Sequence, residues 1–461
     1  MSLSKKTVDL FLLSPFLRLF FRPVHIMVYS LNSSLVPKTV MFKGEPVAIW
    51  AMFSAFVSFL ALQLYGILFG LGLITSFYPI HFHLAIFGWI TFLILGAELQ
   101  FFRAILAIRK FEPEVFRWIF LISVYLSVFL TILSGWINLL AWAYGFLLIA
   151  TVVHTFWLGK YSRSRFFKFP LQFYLAGQVF FILGLLLYAQ FVPGLQFEFH
   201  NLARWQVMHI FAVGWISLVL QGAVTRILPM FLNRAIDRSY RPRIDKHFWF
   251  SLSSSTLFIS GIIMESFPLL VIGGSLWYIN WILVVYFMVR SLVTTNRGKN
   301  LSYPVTGIFF LWGFIWLAIG STLGTLSALE DFGFMSDLSI RDFHIHTSLL
   351  LGLSFIMMGA YHRISAFQVY TILFSGKRGE TSLHSMLHEK LLFVVFVLSA
   401  MGGVIAAIGF YLSDFHVVAY GGILHLLGTL LLFGQVVWVL KLYVSQKGNA
   451  VPFYLKSTEV K

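Results

Sequence analysis

Five histidines carry most of the chemistry this chain could do. His81 and His83 flank Phe82 at the start of PIHFHLAIFGWITFLILGA, residues 79–97. His209 opens a similar stretch, and His344 and His346 flank Ile345 in DFHIHTSLLLG, residues 342–352. Imidazole binds transition metals and carries protons near neutral pH. Histidines two apart on a helix project their rings about 200° apart, at ~100° per residue. Such a pair suits two different centres better than one. The chain has 14 histidines and no cysteine. Disulfides, iron–sulfur clusters, thiolate ligation and a cysteine nucleophile are therefore excluded. Any transition metal must be held by His, Met, Tyr or carboxylate.

The elements that position these histidines are membrane spans. Of 461 residues, 59% are hydrophobic and 11% charged, with mean hydropathy +0.87. A soluble domain has roughly a quarter charged residues. Apolar runs close to the ~20 residues that cross a bilayer recur near 47–77, 81–102, 117–135, 137–158, 170–191, 204–226, 247–267, 269–289, 305–327, 343–363, 390–412 and 416–440. Helices satisfy their own backbone in lipid, so the expected fold is all-α, a polytopic membrane protein with about twelve transmembrane helices.

Charge tests that count. Of the 33 lysines and arginines, 31 lie on one side, in alternate loops, the span ends beside them and the two termini; only Arg204 and Arg341 lie on the other. By the positive-inside rule the first side is cytoplasmic. The net charge of +16 is then an orientation signal, and nucleic acid is not an expected partner. The expectation is a multi-pass protein of a bacterial-type inner (plasma) membrane, both termini cytoplasmic. No cleavable signal-peptide pattern is read at the N-terminus. Residues 8–30 are apolar but interrupted by Arg18, Arg22 and Pro23, which reads as an interfacial amphipathic segment.

Spans 2, 6 and 10 enter from the outer side, so all five histidines lie at one depth. The three spans also repeat one another. HLAIFGWITFLILGA (His83–Ala97), HIFAVGWISLVLQGA (His209–Ala223) and HTSLLLGLSFIMMGA (His346–Ala360) each place Gly-Ala thirteen residues after a histidine, at Gly96, Gly222 and Gly359. Spans 2 and 6 share Gly88-Trp89 and Gly214-Trp215, and spans 6 and 10 share Arg226 and Arg363. Copies four helices apart imply three pseudo-repeated four-helix units. Threefold arrangement would bring the histidines together and leave the glycines as a small-residue packing seam. Two imidazoles from different helices suit haem iron, giving a six-coordinate, electron-transferring centre. The competing reading is hydrogen-bonded helix glue. His25, His247, His384 and His388 read as surface groups and His154 and His362 as structural, with His425 a reserve ligand.

These residues resemble the histidine helices of the haem–copper oxidase catalytic subunit, a twelve-span family with haem in the outer half of the bilayer. The resemblance implies that His81 or His83, together with His346, holds a low-spin haem. It implies a second haem on His344 and puts His209 at the copper position, where copper or non-haem iron is expected. His81 is preferred over His83, because the family's ligand lies about two residues further from the glycine pair. Span 7, KHFWFSLSSSTLFISGIIM, lacks the family's His-His pair. Span 6 lacks the aerobic oxidases' His-Pro-Glu-Val-Tyr, and VMHIFAVGW is closer to C-type oxidases and nitric oxide reductases. A complete three-histidine copper site is thus not expected. HFHLAIFG (81–88) and RILPMFL (226–232) also resemble the NnrS proteins, twelve-span haem proteins tied to nitric oxide stress and denitrification.

Supporting groups follow. Arg204 and Arg341 are expected propionate partners or interfacial anchors. Glu98, a carboxylate inside span 2, is a proton-relay candidate or a protonated packing group. Trp89, Trp136 and Trp205 line the haem or form an aromatic belt. The expected organisation is residues 1–46 as a cytoplasmic, interfacial segment, 47–443 as a twelve-helix haem-binding domain and 444–461 as a cytoplasmic tail. Three functions remain open: an NnrS-like haem redox protein, a divergent respiratory oxidase or nitric oxide reductase, and a twelve-span transporter. The repeat disfavours the transporter, since such proteins usually show two six-span halves. Expected partners are the lipid bilayer, an electron-donor cytochrome or quinol, and other membrane subunits.

Overall fold

The computed structural model describes residues 46–74, 78–105, 113–132, 137–161, 168–192, 202–231, 241–294, 305–331, 340–373 and 388–446. The interfacial segment expected at 1–46 lies outside them but for its last residue. Most of the tail at 444–461 lies outside as well. Among the described residues there are twelve helical rods and no strand. They are α1 (Pro46–Gly70), α2 (78–105), α3 (Glu114–Ile132), α4 (Ile137–Tyr161), α5 (Lys168–Tyr188), α6 (204–231), α7 (Arg241–Ile263), α8 (Phe267–Thr294), α9 (Val305–Asp331), α10 (340–373), α11 (Glu389–Tyr411) and α12 (Phe415–Gln446).

Ten of these are long and apolar enough to cross a membrane. The other two are α3 and α7. In α3 the apolar stretch is shorter, Val115–Leu130. In α7 the run SLSSST lowers the hydropathy, yet Ser251, Ser254 and Ser255 are buried. Ser251 Oγ lies 2.7 Å from Gln221 Oε1 and 2.9 Å from Asn280 Oδ1, within reach of either acceptor for its one proton, and Ser255 donates to the Val213 carbonyl at 3.3 Å. The outer faces carry exposed Trp142, Phe156, Trp249 and Ile272. So large an apolar surface suits lipid as solvent.

Packing follows the repeat. The closest neighbours are α1 with α2, α3 with α4, α5 with α6, α7 with α8, α9 with α10 and α11 with α12. Contacts of α4 with α5, α8 with α9 and α12 with α1 join the three four-helix units and close the circuit. Of the ten apolar spans, α2, α6 and α10 are the most buried.

Those three helices share an irregularity. Each begins as a short α-helix ending on a histidine: Tyr78–His83, Arg204–His209 and Ile340–His346. A π-helical segment follows at once: Leu84–Thr91, Ile210–Ile216 and Thr347–Leu353. Wide turns of this kind recur at functional sites. The glycines inside them admit the preceding helix. A Cβ on Gly88 would sit 3.0 Å from Ser58 of α1, one on Gly214 2.5 Å from the Phe180 ring of α5, and one on Gly352 2.8 Å from Leu317 of α9. Gly88 and Gly214 belong to the expected small-residue seam, and Gly352, six rather than five residues after its histidine, adds to it. Trp89 stacks on Phe59 of α1 at 4.3 Å and Trp215 on Phe181 of α5 at 4.1 Å. These indoles are therefore helix-packing groups in two equivalent units.

Candidate metal-binding histidine pairs

At the histidine end, α10 faces both other inner helices. His346 approaches His81 of α2, their ring centroids 6.3 Å apart and the planes inclined by 41°. His344 approaches His209 of α6, also 6.3 Å apart, the planes within 13°. The His-x-His spacing thus directs its two rings to two partners. Phe87 of α2 and Phe211 of α6, 5.9 Å apart, complete the meeting of the three helices.

The second ring nitrogen of three of these histidines is tied to backbone. Nδ1 of His346 lies 2.8 Å from the Asp342 carbonyl, Nδ1 of His209 lies 2.8 Å from that of Trp205, and Nδ1 of His344 lies 2.7 Å from that of Gly320 on α9. A carbonyl only accepts, so each Nδ1 carries the proton and donates. Nε2 is then the nitrogen with a lone pair. That is the usual second interaction of a metal-ligating histidine, fixing its tautomer and orientation. His346 is held further by stacking on Phe410, 3.5 Å between centroids.

The spacing fits one metal between two imidazoles. With metal–nitrogen bonds of about 2.0 Å and a ring radius of about 1.1 Å, opposed imidazoles on one metal have centroids roughly 6 Å apart. Among the described residues no group of three or more His, Asp or Glu gathers where it could hold a metal ion.

His83 points elsewhere. It is buried, its Nε2 lies 2.7 Å from the Tyr144 hydroxyl, and Phe87 and Tyr188 pack on its ring. The structure brings His81, and not His83, beside His346. Arg204 and Arg341 are exposed at the starts of α6 and α10, on the histidine end. The Arg204 guanidinium lies over Phe191, 5.4 Å from the ring centroid. Trp205 is partly exposed, and Trp136 and the side chain of Arg226 lie outside the described residues.

Glu98 is far from these pairs, 15 residues or roughly 20 Å along α2 from His83. Its Oε2 lies 3.0 Å from His154 Nε2 of α4, and its Oε1 accepts from Gln178 Nε2 of α5 at 3.0 Å. All three side chains are buried. Removing one member of such a cluster strands the rest in an apolar interior, at a cost of about 3–5 kcal/mol. His154→Ala should therefore lower the melting temperature in detergent without altering the histidine end, as a thermal-shift assay would read.

Of the other histidines, His247 departs from expectation and His388 does not. His247, read as a surface group, is buried against Phe173 and Phe287, although Asp245 and Lys246 just before it are exposed. His425 is fully buried between Phe59 and Phe355. His388 is exposed beside Trp438. His25 and His384 lie outside the described residues. Arg363 pairs with Glu389 at 2.8 Å and Thr306 at 3.1 Å.

One feature of the repeat escaped the sequence reading. A hydroxyl stands eight residues after each histidine, at Thr91, Ser217 and Ser354. Thr91 donates to the Ile86 carbonyl at 2.8 Å, and Ser354 to that of Leu350. Ser217 accepts from Gln221 at 3.1 Å. Thr91 and Ser354 thus occupy carbonyls inside the wide turns, where regular helical bonding is interrupted. No protein-family model matches this chain, and no curated protein matches it.

Proposed function

We propose that this is a haem-binding membrane redox protein of NnrS type, in which His81 and His346 hold one haem iron from opposite sides. The supporting observation is the 6.3 Å separation of these rings on two different inner helices, with the His346 tautomer fixed by Asp342. Haem, when bound there, supplies a one-electron iron couple. The chain's residues hold and orient it. Phe410 braces the His346 ring, and Arg204 and Arg341 stand at this end, where their charge would favour propionates.

His209 and His344 form a second pair able to hold a further metal. Pairs rather than trios of donors favour this reading over an oxidase or nitric oxide reductase with a full copper site. The link to nitric oxide and denitrification comes from resemblance alone. In this reading both termini are cytoplasmic, the histidine end is the outer side of a bacterial-type inner membrane, and electrons come from quinol or a cytochrome.

The test is a reduced-minus-oxidised spectrum with haem extraction on purified wild type, His81→Ala and His83→Ala. Wild type should show low-spin haem, His81→Ala should lose that band, and His83→Ala should keep it. Wild-type protein without haem would refute the reading.

A further inference from the structure

We propose that the third four-helix unit binds a file of water between α1, α11 and α12, and that His425 exchanges a proton with it when the iron beside His81 changes charge. The water file stands on its own, and the link to iron rests on the haem reading.

The observation comes from comparing two units. The α7–α8 and α11–α12 hairpins share one register, fixed by the same close approaches. Gly261 meets Leu270 and Gly273 meets Phe258 in the first; Gly409 meets Val418 and Gly421 meets Ala406 in the second. In that register Ser251 corresponds to Ser399, Asn280 to Gly428, Trp277 to His425 and Trp281 to Thr429. The second unit closes its polar network from within, Ser251 Oγ lying 2.9 Å from Asn280 Oδ1. Gly428 offers no such amide. Ser399 Oγ and both ring nitrogens of His425 are buried without a hydrogen-bond partner, as is Gln63 Oε1 of α1.

Polar atoms left so in an apolar interior are costly, and their chemistry selects the occupant. Donors and acceptors are mixed and no carboxylate is among them, which suits a neutral ligand. The place is narrow. A Cβ at Gly428 would run into Ser399 Oγ, and one at Gly403 would lie 2.6 Å from Leu351. Water fits such a place, each molecule making about three hydrogen bonds.

The file leads to His81. Gln63 donates to Thr429 Oγ1 at 3.0 Å, and Thr429 donates to the His425 carbonyl at 2.9 Å. One turn beyond Gln63, a Cβ on Gly66 would lie 3.7 Å from His81 Cε1. His425 is the titratable member, and imidazole takes a proton on one nitrogen and releases it from the other. Phe59, Phe355 and Gly403 face it from α1, α10 and α11, none of them charged or titratable. The nearest titratable side chain on α12, Tyr420, is exposed. An electron reaching iron beside His81 is then matched by a proton reaching His425, because a charge added in a low-dielectric interior favours its opposite nearby.

The test uses purified full-length protein. Hydroxyl-radical footprinting by X-ray radiolysis labels side chains that touch bound water, buried ones included. His425 and Phe355 should label several-fold faster than Trp281, an equally buried side chain of the second unit. His425→Phe should abolish the labelling of Phe355 at unchanged or higher melting temperature, since it removes two unpaired nitrogens. His425→Gln should keep the labelling of Phe355 and flatten the pH dependence of the haem midpoint potential, which in wild type should fall as pH rises. Labelling of Phe355 no faster than that of Trp281 would overturn the water file. An unchanged pH dependence in His425→Gln would overturn the proton role. Wild-type protein without haem would overturn the underlying reading instead, and the labelling would still decide the water file.

Discussion

His346→Ala is expected to remove the low-spin haem held with His81 from the purified protein. His83→Ala, two residues past His81, should leave it intact. The two substitutions delete the same atoms but different partners. His346 faces His81 at 6.3 Å with its Nδ1 committed to Asp342. His83 is spent on Tyr144 among aromatic rings. Both are packed, so both lose some stability, about 2 kcal/mol or more for a buried truncation. Only the His346 change should alter the spectrum. His346→Met separates ligation from packing further. A thioether can serve as an axial ligand and raises the potential relative to imidazole. That variant should keep a six-coordinate iron at higher potential in a redox titration.

Gly421→Val is expected to cost most of the folded protein. The α11–α12 hairpin is the most extensive helix pairing among the described residues, and its backbones meet at glycine on both sides. A Cβ at Gly421 would run into the Ala406 backbone and lie 2.6 Å from the Gly402 carbonyl. A Cβ at Gly402 would lie 2.5 Å from the Gly421 carbonyl. The neighbours are backbone, so no side chain can swing aside and the helices must part. Overpacking of this kind costs about 3 kcal/mol or more. It would also shift Leu351 of α10, which Gly403 admits. Gly434 lies on the same helix with nothing within 4 Å of an added Cβ. Gly434→Val should therefore match wild type, and fluorescence-detected size exclusion after heating distinguishes the two.

These cases mark what was legible in the sequence. Span positions were legible because burial in lipid demands long apolar runs, and each of the twelve runs contains a helix. The repeat was legible because Gly96, Gly222 and Gly359 recur at one spacing; Gly96 does admit α1 and Gly359 α9, while α5 is admitted at Gly214. That one histidine helix serves two neighbours was legible from helical geometry. The preference for His81 over His83 came from the resemblance and not from spacing, because ring direction is decided by Tyr144, Tyr188 and α10, which are distant in sequence. The wide turns after His83, His209 and His346 involve a shift of one residue in hydrogen bonding, which leaves no hydropathy trace. Their one sequence mark was the hydroxyl at Thr91, Ser217 and Ser354. His247 misled because Asp245 and Lys246 are exposed beside it, and adjacent helix positions face different ways.

The central claim is that imidazole pairs from different inner helices grip iron. The most direct measurement is low-temperature electron paramagnetic resonance, with near-infrared magnetic circular dichroism, of the oxidised wild-type protein as purified. These read the axial ligands themselves. The expected result is low-spin ferric haem with two histidine ligands, its signal lost on changing His81 or His346 and retained on changing His83. High-spin haem alone, a non-histidine ligand, or a signal indifferent to His346 would contradict it.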